Sequence, residues 1–102
     1  REVTDPHYRD YALAMAAWSA GREAESRAAL QRLIDEVPNV FAAQITMIYA
    51  RQGDRDNMFK WLDRALAVQD PGLLDIQTRP EFDAFKSDAR YQRALRQMNL
   101  AR

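Results

Sequence analysis

The stretch Tyr49-Ala50-Arg51-Gln52-Gly53-Asp54-Arg55-Asp56-Asn57-Met58-Phe59-Lys60-Trp61-Leu62-Asp63-Arg64-Ala65-Leu66 decides how this chain folds. Gly53 breaks it in two, as a glycine just past the last helical turn does. Before the glycine, Phe41, Ile45, Met47, Ile48 and Tyr49 belong to an apolar segment running from about Val40 to Arg51. Ala42, Ala43 and Gln44 favour helix there over strand. After it, a segment opening at Asp54 or Arg55 carries Met58, Phe59, Trp61, Leu62, Ala65, Leu66 and Val68 and stops before Pro71. Steps of three and four between apolar residues mark an amphipathic helix. Asp54 and Asp56 would lie in its first turn, where negative charge meets the positive end of the helix dipole. The stretch therefore reads as a helical hairpin.

The same grammar extends outward. Asp5 followed by Pro6 is a helix start. Tyr8, Tyr11, Ala12, Met15 and Trp18 or Ser19 then recur at helical spacing up to Gly21. A second segment from Arg22 to about Val37 carries the stripe Leu30, Leu33, Ile34 and Val37 and is closed by Pro38. Beyond Pro71, Leu73, Leu74 and Ile76 form a short apolar patch before Pro80, and Phe82 and Phe85 suggest a single turn. Ser87 or Asp88 caps a final helix with Tyr91, Leu95 and Met98 inward. The expected fold is all-α. Two hairpins (5–38 and 39–70) are followed by an irregular stretch and a capping helix (71–102), all in one domain.

The two hairpins repeat. Gly21 and Gly53 are 32 residues apart, and the same offset takes Leu30 to Leu62 and Leu33 to Ala65. This resembles the tetratricopeptide repeat (TPR), a helix pair of about 34 residues with the pattern W-x2-L-G-x2-Y, then A-x3-F, then P. The second unit supplies Ile45, Thr46, Tyr49, Gly53, Met58, Leu62 and Ala65, and the first supplies Leu13, Ala14, Ala17, Gly21, Ser26, Leu30 and Pro38. Both depart from the pattern, since Asp10 and Ala42 stand where the first-helix Trp belongs and Met58 where the family prefers Ala. The tail, with Asp70-Pro71-Gly72, Arg79-Pro80-Glu81-Phe82 and Asp88-Ala89-Arg90-Tyr91, resembles the closing segment of TPR regions in bacterial multidomain regulators of the adenylate cyclase, serine/threonine kinase or winged-helix type. The resemblance implies a TPR-like α-α superhelix that is the C-terminal, cytoplasmic part of such a chain. An Arg at position 1 in place of Met adds to the expectation of a longer chain.

Composition narrows the function. The 102 residues include 15 Lys plus Arg and 15 Asp plus Glu, so the net charge is zero. Nucleic-acid and membrane-surface proteins need a basic excess, so neither partner is expected. Cysteine is absent, which removes disulfides and thiolate chemistry. His7 has no second His or Cys beside it and reads as a first-turn surface residue, not a metal ligand. Three isolated glycines cannot build a phosphate-binding loop, and no serine lies in a G-x-S-x-G setting. Asp54 with Asp56, and Asp35 with Glu36, read as helix-end and solvated charges rather than acid/base pairs. No enzyme activity, cofactor or metal is expected.

What remains is binding. In TPRs the first helix of each pair lines a concave groove. The resemblance places Tyr8, Tyr11, Met15 and Trp18 there from the first unit and Gln44, Met47 and Arg51 from the second. That groove is apolar and aromatic. It lacks the basic-plus-Asn clamp of chaperone-binding TPRs, because Tyr11 and Met15 occupy two of its places. An apolar peptide or amphipathic helix suits it better than an acidic C-terminal tail. The competing expectations are that Tyr8, Tyr11 and Trp18 pack against a preceding repeat or a second copy, giving a homodimer or a pure oligomerisation unit. A further alternative is a regulatory or sensory region whose binding biases an attached enzyme or DNA-binding domain.

Overall fold

The computed structural model describes residues 6–100, with side chains through Met98. The chain is all-helical over that range: α1 (Pro6–Ser19), α2 (Glu23–Glu36), α3 (Ala42–Gln52), α4 (Arg55–Ala67), two 3₁₀ helices (Pro71–Thr78 and Pro80–Phe85) and α5 (Ala89–Leu100). No helix among the described residues is long and apolar enough to cross a membrane. The start expected at Asp5 lies outside the described residues.

The 32-residue repeat recurs in backbone hydrogen bonds. Gly21 N bonds Trp18 O at 3.0 Å and Arg22 N bonds Ala17 O at 2.8 Å. Thirty-two residues on, Gly53 N bonds Ala50 O at 3.1 Å and Asp54 N bonds Tyr49 O at 3.0 Å. Both glycines are left-handed, with φ of 82° and 73°. This is the Schellman closure, which needs a residue that tolerates positive φ. The second helix of each unit then begins two residues later. Asp54 caps α4, its carboxylate accepting from Asn57 N at 3.3 Å. The first helix of unit two begins later than its sequence suggests, at Ala42. Residues 38–41 form a turn in which Phe41 N bonds Val37 O, burying Phe41 and leaving Val40 exposed.

Within each unit the two helices pack closely. Ser26, fully buried, donates to Ala14 O at 2.6 Å, so a small polar side chain ties α2 to α1. Met58 holds the equivalent place on α4 and is fully buried. Trp61 and Phe59 are core residues, at 4% and 1% exposure. α3 packs against α1 on one side and against both 3₁₀ helices on another, while α5 lies against α4.

The stretch expected to be irregular is helical, and its period explains the helix type. Asp70, Leu73, Ile76, Phe82 and Phe85 are buried and Arg79 half-buried, a strict three-residue spacing. Residues three apart eclipse in a 3₁₀ helix, so this pattern puts one stripe inward only with three residues per turn. Leu74 lies off the stripe and is 65% exposed, unlike its neighbours in the apolar patch. Phe85 meets Phe59 edge-on at 6.1 Å, and Phe82 stacks on Tyr91 at 6.0 Å. Of the two candidate caps for α5, Asp88 serves: its carboxylate accepts from Arg90 N at 2.8 Å.

Asp70 joins the tail to the repeats. The residue is 7% exposed. One carboxylate oxygen accepts from Ala43 N at 2.9 Å, in the first turn of α3, and the other from Gly72 N at 2.8 Å, in the first turn of the 3₁₀ helix. Gly72 permits the approach, since a Cβ there would sit 3.0 Å from the Ala43 Cβ.

Two stability measurements check this account. Asp70→Ala leaves one buried and one part-buried amide donor unpaired and should cost about 2–3 kcal/mol in urea unfolding, with Asp70→Asn costing less. Gly53→Ala should cost about 1–2 kcal/mol from backbone conformation alone, because nothing lies within 4 Å of the added Cβ.

Candidate protein-interaction face

The residues expected to line a groove sit on α1 and α3. Tyr8, in the first turn of α1, is 49% exposed and meets the Phe41 ring edge-on at 4.9 Å. Met15 and Met47 are buried, at 8% and 3% exposure. Tyr11, Trp18, Gln44 and Arg51 are half-buried. The Arg27 guanidinium stacks 5.3 Å from the Trp18 ring centre. His7 pairs with Glu36 on the neighbouring helix at 3.1 Å.

The chain's own tail covers much of this face. Arg79 donates to the Tyr11 hydroxyl at 2.9 Å, and that hydroxyl donates to Met47 Sδ at 3.6 Å. Arg79 also donates to both carboxylate oxygens of Glu81, from Nε at 3.1 Å and from Nη2 at 3.0 Å. Glu81 in turn accepts from Arg51 Nη2 at 2.6 Å, while Arg51 Nη1 donates to Ser19 Oγ at 2.6 Å. Gln44 lies against Gly72. The structure thus joins Tyr11, Met47 and Arg51 into one network through two tail residues. Trp18 and Arg51 share an open depression of about 420 Å³ with Ser19, Ala50, Pro80 and Glu81. Tyr8 stands apart, at the other end of α1.

The electrostatics follow from this packing. Burial raises the Tyr11 hydroxyl above its ordinary value of 10.0, only partly offset by the Arg79 charge beside it. Burial also pushes the Glu81 carboxyl up, but hydrogen bonds from Arg51, from backbone and from Arg79 outweigh it and hold Glu81 below its ordinary 4.5. The Glu81 side chain is only 4% exposed, so its negative charge is retained by two guanidinium groups in place of water. This network can hold a segment of polypeptide in register. It has no nucleophile paired with a base, and among the described residues no group of three or more metal-ligating side chains converges.

Arg79, Glu81, Asp70 and Gly72 were not singled out as face residues from sequence. The available signal was the pair of opposite charges flanking Pro80, with Ile76 and Phe82 at three-residue spacing on either side of Arg79. Comparison with models of protein families, with curated proteins and with solved structures found no match.

The Glu81 cluster sets a pH dependence. A carboxyl held below its unfolded value contributes stability above that value and loses it as pH falls through the folded one. The urea midpoint should therefore fall as pH drops below the ordinary 4.5. Glu81→Gln should lower the midpoint at neutral pH and flatten the acid limb.

Proposed function

We propose that this chain is a non-catalytic protein–protein interaction module of the TPR kind, binding a protein segment or a second copy through the α1–α3 face. The observation that carries the reading is the seating of residues 71–85 there. A short polypeptide segment lies against α3, held by apolar contacts and by polar side chains at Tyr11 and Arg51. Tandem hairpins in 32-residue register support the TPR assignment, as does the like closure at Gly21 and Gly53. A cytoplasmic setting at the C-terminal end of a bacterial regulator belongs to the same reading.

The chemistry of the face describes its partner. Trp18 offers apolar area and Arg51 a cation for one acidic side chain at the open depression, whereas Met15 and Met47 are buried beneath the face. The open part is the Trp18 depression beside the tail. Selection of peptides from a displayed library on the immobilised chain tests this. Enriched peptides should carry an aliphatic or aromatic residue near an acid, and should bind at least about tenfold more weakly to Trp18→Ala, the loss of one well-packed anchor. No enrichment over a blank surface, with the native chain and with Glu81→Ala, would refute the reading.

A further inference from the structure

The link between α4 and the tail is strained. Gln69 is the one non-glycine residue of positive φ among the described residues, at 54°. It closes α4 as Gly21 and Gly53 close α1 and α3: Gln69 N bonds Leu66 O at 3.1 Å and Asp70 N bonds Ala65 O at 3.0 Å. Glycine enters this region without cost, whereas a residue with a Cβ does not. Asp70, preceding a proline, is already extended at φ −65° and ψ 121°. Turning Gln69 alone from left-handed to extended would send everything after it away from its own α3.

A second observation falls at the same end of the molecule. The large apolar side chains that stay exposed among the described residues are Tyr8, Val40, Val68 and Leu74, at 49, 71, 42 and 65%. Tyr8 touches Phe41 in the α2–α3 turn. Arg64 on α4 reaches Asn39 in that turn at 2.9 Å. Asp70 reaches Ala43 at the start of α3. Leu74 borders an open cavity of about 790 Å³ with Leu66, Ala67, Pro71 and Met98. The uncovered apolar surface therefore lies at the end of the molecule that holds the hinge.

We propose that the chain forms an exchanged dimer, in which residues from Asp70 onward cross to a second copy and take the place of its tail. The occupant is a second copy of this chain because the contacts that seat the tail on α1, α3 and α4 are transferable, and only the closing bonds Gln69 N–Leu66 O and Asp70 N–Ala65 O are given up. Asp70 to Ala43, Arg79 to Tyr11, Glu81 to Arg51 and Phe85 to Phe59 each join a residue after the hinge to one before it. All re-form between two chains with unchanged geometry. Exchange releases the left-handed Gln69, and a short hinge under strain invites it. It also brings two hinge ends together, where Val68, Leu74, Val40 and Tyr8 lose contact with water. The proposal rests on the reading of the α1–α3 face as one that accepts a polypeptide segment.

Light scattering on the full chain, refolded from urea over a range of concentrations, tests it. The mass should rise from 11.8 kDa to twice that value. Gln69→Val should shift the midpoint to at least about thirtyfold lower concentration and Gln69→Gly to at least about thirtyfold higher, because each dimer frees two hinges and the strain added or removed counts twice. A second readout does not depend on the hinge. In Arg51→Glu and in Glu81→Arg, each refolded alone, like charges meet on the face. Refolded together, only the exchanged heterodimer pairs opposite charges at both faces, so native mass spectrometry should show it in preference to either homodimer. A native chain and Gln69→Val that stay monomeric, with no heterodimer on mixing, would overturn the proposal. A dimer indifferent to Gln69 and to charge pairing would also overturn it, pointing to surface association at the apolar end. A monomer that still selects peptides through Trp18 would refute exchange while leaving the face reading intact.

Discussion

The carboxylate of Asp70 is the point on which the arrangement depends. It is buried and ends two helices at once, accepting from Ala43 N on α3 and Gly72 N on the 3₁₀ helix. Both amides are among those a helix leaves unpaired in its first turn, and both lie at the positive end of a dipole. One negative group thus satisfies two donors and sets the distance between them. Every later tail residue inherits its place from that anchor. The side chain of Asp70, the missing side chain of Gly72 and the small one of Ala43 act together, since a longer residue at any of the three would push the segments apart.

From that anchor the tail runs in steps of three along α3. Its apolar positions enter the core, and Arg79, at the same spacing, comes to lie over Tyr11. The Arg51–Glu81–Arg79 cluster specifies position more than it adds stability. Buried ion pairs give back much of their Coulomb energy in desolvation, while leaving one partner alone is costly. A tail shifted by one residue would carry Arg79 along with Glu81 but strand Glu81 away from the Arg51 guanidinium on α3. The face that a repeat module would offer a partner is therefore largely filled, with the depression beside Trp18 left open. Any partner for the covered part must displace this segment or arrive as its equivalent.

Much of this was legible residue by residue. Gly21 and Gly53 end helices because only local backbone geometry is involved, and the like bonding at the two turns follows from like sequence. The helical spacing of Tyr11, Met15 and Trp18 places them together on α1 without reference to any other element. The tail was less legible. Proline and a short apolar patch suggested irregular chain, whereas the three-residue period from Asp70 to Phe85 is the mark of a 3₁₀ helix and could have been counted. Leu74 could not have been separated from Leu73 without that period.

The sequence by itself determined the helices, their closures, the 32-residue repeat and the absence of cysteine chemistry, because each depends on residues within a turn or two of one another. Only the tertiary structure decided where the tail lies. Arg51 has many acids within reach along the chain, and its selection of Glu81, like that of Tyr11 by Arg79, rests on packing between elements far apart in sequence. The same holds for Asp70, whose bond to Ala43 spans 27 residues. Charge and hydrogen-bonding capacity are written in each residue, but the partner is chosen by the shape of the surfaces that bring the groups together.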